Sequence, residues 1–532
     1  MTAALIGIGS PELVHSDPNL SQIDQRVTAL LDGGWVVTWT RVDVDRNEAS
    51  AVFAKVFGPD GEPLATEFLV NETPGVGQEN PEIVTLPNGN FLVVWTALDQ
   101  TAGLHQTLHY RQFDQAGLPL AEASVFEASI NASSGDYSVS VLANGGLVVA
   151  WKDVGDQLIY QKQLDADLQP VGEIERVSDI EAFADDYIDI NALEDGGWLA
   201  VWRSSAAEKG IFVRQFASDG SPVGEASLVN VLGAPVNDFV TSTISEPSIE
   251  VLADGSFIVV WQASGADGLF DQDSDIYMQR FSSDGIALGD TTRVNDLEPG
   301  SQTFSQVLAL PDGGWLVAWT DETLDLGGGT VQIIERNTTA QRFDAEGNKV
   351  GDNMIVSGSP DIRQQYPEMV LLSDGTILIA WWANDFASSD PKSRADVVQQ
   401  VFTLPEIAFS DAYDENRDST DVLATVPAAD FAGATGFEIT GGDPGGATPW
   451  FAINALGEIT LTEAGVASAA NDFELAGNGY ILAVQPTNDA GNVGEAVNVS
   501  LQVADANDVA PLVTLLGKIG AIREDFDLDR AC

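Results

Sequence analysis

Cysteine is all but missing from this chain. Cys532, the last of 532 residues, is the only one, so no internal disulfide is possible. Histidine is nearly as scarce, and His15, His105 and His109 are poor material for a histidine-based metal centre. Positive charge is thin, with 23 Lys plus Arg against 81 Asp plus Glu and a formal net charge of -58. With a pI near 4.1 the chain repels nucleic acid and anionic lipid, which excludes both as partners. No run of about 18 apolar residues occurs, so no membrane-spanning helix is expected. The opening "MTAALIGIGSPELVHSD" lacks a basic start and a long apolar core, so it does not read as a conventional signal peptide.

What is present is a folding sequence, 44% hydrophobic and long enough for two or more domains or one large repeat architecture. Its acidity suits a solvated surface in salty surroundings, or in part a set of divalent-cation ligands. Self-comparison finds one phrase seven times, as "LLDGGWVVTW" ending at Trp39, "TLPNGNFLVVW" at Trp95, "VLANGGLVVAW" at Trp151, "ALEDGGWLAVW" at Trp202, "VLADGSFIVVW" at Trp261, "ALPDGGWLVAW" at Trp319 and "LLSDGTILIAW" at Trp381. The even period is too long for a helical solenoid. Each period carries a second phrase, such as "DIYMQRFSSDGIALGDTTRVN" from Asp275. Asn-Gly and Asp-Gly between apolar runs are hairpin signals, because both supply the positive φ of tight turns. The unit therefore reads as a four-stranded meander.

Four-stranded units repeated in this way predict a β-propeller of seven blades. The ends of the array predict closure. "ELVHS" (Glu12 to Ser16) reads as a fourth strand with no predecessors, and the last copy stops after "DVVQQVF" (Asp396 to Phe402) without its own fourth strand. The recurring Trp is read as core packing between blades rather than as a ligand platform. The repeats also resemble the "DGG(F/W)xVxW... YxQRFDxxGxxxG" modules of large secreted bacterial proteins of the RTX and adhesin type. That resemblance covers about residues 10 to 402 and implies a surface location and a non-enzymatic role.

After Phe402 the phrase disappears. From about Ile407 to Pro511 the sequence resembles a cadherin repeat, on "DEN", "FAINALGEITLT" (Phe451 to Thr462), "DFE" and "DANDVAP" in the family's order. The resemblance implies an Ig-like β-sandwich holding Ca²⁺ through Glu415, Asp472, Glu474, Asp505, Asn507 and Asp508. Ca²⁺ wants six to eight hard oxygens, and clustered carboxylates repel one another without it. Asp414 stands where the family has Pro, and the Asp-x-Asp of the opposite pole is reduced to Asp430 followed by Ala432.

Three further sets of residues were weighed. Asp43, Asp45 and Asn47 alternate in one loop, as do Asp271, Asp273 and Asp275 in another; both fit a Ca²⁺ site or a solvated loop, without the glycine and bidentate Glu of a Ca²⁺-binding loop. "HQTLH" leads into "YRQF", a strand on which His105 and His109 would stand about 13 Å apart, too far for one metal. Glycosidase chemistry in a propeller needs inward-facing arginines or an acid pair around the channel. With Lys plus Arg so scarce, none is picked out. No Ser-His-Asp order, P-loop or Rossmann fingerprint occurs either.

The expectation is an all-β protein: a seven-bladed β-propeller (1–404), a cadherin-like β-sandwich (405–511) and a tail (512–532). The function expected is non-enzymatic adhesion outside the cell or at its surface, towards a glycan or protein ligand, with a Ca²⁺-stiffened second module. The alternatives are a carbohydrate-active propeller enzyme of glycosidase type and a surface scaffold.

Overall fold

The structure is a computed structural model that describes residues 5–16, 20–42, 50–72, 77–99, 105–126, 132–153, 155–178, 187–204, 210–229, 244–264, 274–296, 300–325, 332–357, 362–385, 395–404, 407–414, 417–426, 435–441, 443, 448–468, 479–488, 491–492 and 497–504. The chain divides into two compact units at residues 405/406.

The first unit is all strand among its described residues. Its repeated phrases fold as antiparallel meanders whose strands pair in chain order, as in Ile244–Val251, Phe257–Ser264, Ser274–Phe281 and Ala287–Arg293. The second strand of each meander lies between two others and is buried on both faces. That is why it reads as an unbroken apolar run rather than an alternating one.

The turn before it explains the Asp-Gly pair. In the first copy Asp32 Oδ1 accepts from Gly34 N at 3.0 Å, and Gly33 takes a φ of 93°, open to glycine at no steric cost. Gly313 does the same in the sixth copy at a φ of 86°. Gly313→Ala is expected to lower stability by about 1 kcal/mol in urea unfolding, because a Cβ disfavours this region.

The strand-ending tryptophans are core residues, with Trp151 the most exposed of the seven at 2%. Each core cluster draws on neighbouring copies: Trp319 packs with Ile258 and Val260 of the copy before it, and Trp95 with Val36 and Val52. The aromatic that follows the turn stacks on the Phe ending the third strand. Trp35–Phe57 centroids lie 5.4 Å apart, Trp198–Phe216 5.6 Å and Phe257–Phe281 5.0 Å. The recurrent "RF" and "QF" of the sequence thus has a packing cause.

The chain's start completes the last copy. Ile6–Leu13 pairs antiparallel with Asp396–Thr403, placing Glu12 opposite Gln399 and Leu13 opposite Val398. Gln399 also ties the two ends through its side chain, accepting from Trp35 Nε1 at 3.1 Å and donating to Glu12 Oε1 at 3.2 Å. The first strands of the meanders are mutual neighbours: Ser21–Ala29 lies beside Gln78–Thr85, and Ala132–Val141, Ile188–Ala192, Ile244–Val251, Gln302–Ala309 and Ile362–Leu371 follow until the last returns to the first. This is propeller-like architecture, with those strands innermost.

The second unit has two sheets around one core. Ile407–Asp414 runs parallel to Val497–Ala504, which pairs with Gly479–Asn488 and through it with Gly436–Gly441. Val422–Thr425, Glu458–Leu461 and Phe451–Ile453 form the other sheet. Val426, Ile459, Leu482, Val484 and Leu501 are buried between them.

Candidate functional site

The inner strands share a β-bulge. Pairing with the second strand slips between Ile23 and Arg26, Glu79 and Glu82, Ser245 and Ser248, Thr303 and Gln306, and Gln365 and Glu368. Inside these slips Asp24, Asn80, Glu246, Phe304 and Tyr366 hold φ between 53° and 58°. A bulge frees a backbone N–H from the ladder and re-aims the side chains beside it. Thr40 Oγ1 accepts the freed N–H of Asn80 at 3.1 Å, and Thr320 Oγ1 that of Tyr366 at 3.0 Å. The Thr after the strand-ending Trp thereby serves the next copy.

Two positions after the bulge residue, the copies diverge. Arg26, Glu82, Asp189 and Glu368 occupy equivalent places, each the same distance before Trp39, Trp95, Trp202 and Trp381. Because the innermost strands are neighbours, these side chains meet. Arg26 Nε lies 2.9 Å from Glu82 Oε1, and Arg26 Nη1 2.9 Å from Glu368 Oε1. The two carboxylates flank one planar guanidinium. Water still reaches the group, since 35% of the Arg26 side chain, 22% of Glu82 and 15% of Glu368 is accessible.

Burial sets the protonation here. It pushes the Glu368 carboxyl up to about 7, against the lowering pull of Arg26 and with help from Glu82 and Asp189. Asp189 is raised to about 6 by burial, and Glu246 and Glu250 to about 7 by the same cause. Burial disfavours the Arg26 charge, but Glu368 and Glu82 outweigh it and hold its pKa above the usual value. Glu368 is therefore an acid with a proton to give near neutral pH.

The buried acids fall into two kinds. Asp189 Oδ2 accepts from Ile249 N at 3.1 Å, Glu246 Oε2 from Phe304 N at 2.8 Å and Glu250 Oε1 from Ala309 N at 3.3 Å. Each joins one inner strand to the next, a structural duty. Glu82 and Glu368 instead face a side-chain cation beside water. They are the pair suited to chemistry.

The acid pair and its arginine correct the sequence-based expectation that no such constellation lines the channel. Their signal was present in the repeats, as charged residues at a fixed place before Trp where other copies carry Ser138, Ser248 or Gln306.

Most of the residues singled out for Ca²⁺ lie outside the described residues: Glu415, Asp472, Glu474, Asp505, Asn507, Asp508, Asp43, Asp45, Asn47, Asp271 and Asp273. Asp275 is described, within Ser274–Phe281, and its Oδ1 accepts from Asn295 Nδ2 at 2.8 Å. Among the described residues no group of three or more His, Cys, Asp or Glu could hold a metal ion. His105 and His109 share the strand His105–Phe113, and His109 stacks on Trp95 at 5.7 Å. No helix among the described residues is long and apolar enough to cross a membrane.

No protein-family model matches the chain, and no curated protein does. Solved structures do. One is a protein of unknown function from Dyadobacter fermentans, at 12% identity and a TM-score of 0.46 over 76% of this chain and 100% of that one. Another is the polysaccharide lyase Uly1, at 11% identity and 0.44 over 71% of this chain and 89% of that one. A third is the α-L-arabinanase of Penicillium chrysogenum in complex with arabinobiose, at 14% identity and 0.41 over 76% of this chain and 99% of that one. These likenesses concern the fold. The expectation of a non-enzymatic adhesion protein is corrected on other ground: the acid pair whose apparent absence supported it is in place around Arg26.

Proposed function

We propose that the first unit is a carbohydrate-active enzyme built as a closed, seven-bladed β-propeller that acts on glycans where its inner strands converge. The observation that carries this is the Arg26 guanidinium held between Glu82 and Glu368 beside solvent. Paired glycosidase acids operate over a spread of roughly 5–10 Å, and bonding to one guanidinium gathers Glu82 and Glu368 into one site. Glu368, kept protonated by burial, donates to the leaving glycosidic oxygen. Glu82, on the other side of Arg26, serves the anomeric carbon or the water that attacks it. Arg26 fixes both carboxyl groups through its N–H donors.

An extracellular setting accords with the acidic charge. For the second unit we retain a cadherin-like module stiffened by Ca²⁺ through Glu415, Asp472, Glu474, Asp505, Asn507 and Asp508. A thermal melt of the whole protein with and without chelator checks it: a transition of the second unit that chelator leaves unmoved removes the metal.

The test of the enzyme is a panel of neutral and uronate-containing polysaccharides, assayed for reducing ends and for the absorbance of unsaturated products. Reducing ends without unsaturated product support acid-assisted hydrolysis. Unsaturated product indicates elimination instead, and no product from any glycan refutes the enzyme.

A further inference from the structure

The bulge positions of the last two copies carry bulky aromatics. Tyr366 and Phe304 sit at φ of 58° and 56°, a region that large side chains rarely adopt. Such strain persists only where surrounding bonds hold it. Both residues are held. Tyr366 N donates to Thr320 Oγ1 at 3.0 Å and its carbonyl accepts from Gln25 Nε2, while Phe304 N donates to Glu246 Oε2 at 2.8 Å.

The strained backbone brings the rings together, with Tyr366 exposed and Phe304 and Trp382 half-buried beside it. Tyr366 and Phe304 centroids are 4.0 Å apart, and Trp382 meets Tyr366 edge-on at 5.8 Å. Tyr366 is 43% exposed, unlike the strand-ending tryptophans. Only Pro367 separates Tyr366 from Glu368, so their backbones lie about 7 Å apart along the strand. We infer that Tyr366, Phe304 and Trp382 form a stacking subsite for an uncharged sugar unit of the glycan cleaved at Arg26, Glu82 and Glu368.

The chemistry points to that class of ligand. A sugar ring presents a C–H face that lies against an exposed aromatic ring such as Tyr366, while the hydroxyls at its rim stay in water. An anionic sugar meets the opposite welcome. The chain carries a net charge of -58, Arg26 is engaged by Glu82 and Glu368, and Arg336, the cation near Tyr366, lies 2.6 Å from Glu322. Preorganised rings lower the entropic cost of binding.

This inference rests on the proposed enzyme, and its test separates the two. Binding of neutral and of uronate oligosaccharides is measured by calorimetry on the whole protein with Glu368→Gln, so that no turnover intervenes. The expected result is neutral binding preferred, weakened about tenfold by Tyr366→Ala or Phe304→Ala and largely restored by Tyr366→Phe. In the active protein Tyr366→Ala raises KM and changes kcat little. Neutral binding that depends on Tyr366, without turnover of any glycan, leaves the subsite standing and removes the enzyme. Binding indifferent to both alanine variants, or tighter for uronates, overturns the subsite.

Discussion

Glu368→Gln is expected to lower glycan turnover by about 10²- to 10⁴-fold, the range lost when a general acid is removed. The amide keeps the size and polarity of a protonated carboxyl and still meets Arg26 without a proton to donate. KM should move little, because the sugar is held elsewhere. The pH dependence should change as well. Glu368 titrates at about 7, so the alkaline limb of the wild-type profile is expected near that pH and to vanish in the variant's residual activity. Initial rates from pH 4 to 9 check both points. A variant with wild-type rates would show that Glu368 has no chemical role.

Arg26→Met is expected to be the most pH-sensitive structural change in the ring. At pH 8 it leaves Glu82 and Glu368 facing each other without their cation, at a cost of about 2–4 kcal/mol. That is less than for a wholly dry pair, because 35% of the Arg26 side chain keeps contact with water. At pH 5 Glu368 escapes by holding its proton, and the loss should shrink to about 1 kcal/mol. Urea unfolding at the two pH values measures the difference. Equal losses at both would mean that the arginine merely packs.

Much of the architecture could be read in the sequence because it is carried by local and repeated signals. Asp-Gly and Asn-Gly fix the hairpins through the φ of glycines such as Gly33, and each Trp marks a strand buried on both faces. The unpaired "ELVHS" at the start foretold the strand opposite Asp396–Thr403. The chemistry was legible only in principle. Arg26, Glu82 and Glu368 are remote in sequence and meet through ring closure. A low arginine content does not exclude such a site, since one guanidinium suffices to gather two acids. The aromatics at Phe304 and Tyr366 gave no sign either, because they are brought together by bulges that no turn residue announces.

The measurement closest to the central claim is the unfolding of the ring as a function of pH, in the wild type and in Glu368→Gln. Trp450 alone of the 12 tryptophans belongs to the second unit, so tryptophan fluorescence follows the ring. Asp189, Glu246, Glu250 and Glu368 have folded pKa values above their ordinary ones. Between about pH 4.5 and 7 the unfolded chain has already released protons that the folded ring retains, so stability is full at the acid end and falls as pH rises through that window. Lowered carboxylates such as Glu67 and Asp374 act only at more acid pH. The wild type should therefore be more stable at pH 5 than at pH 8, with a shallower fall in Glu368→Gln. A ring more stable at pH 8 than at pH 5, or one whose slope ignores the substitution, would contradict a protonated acid held at its centre.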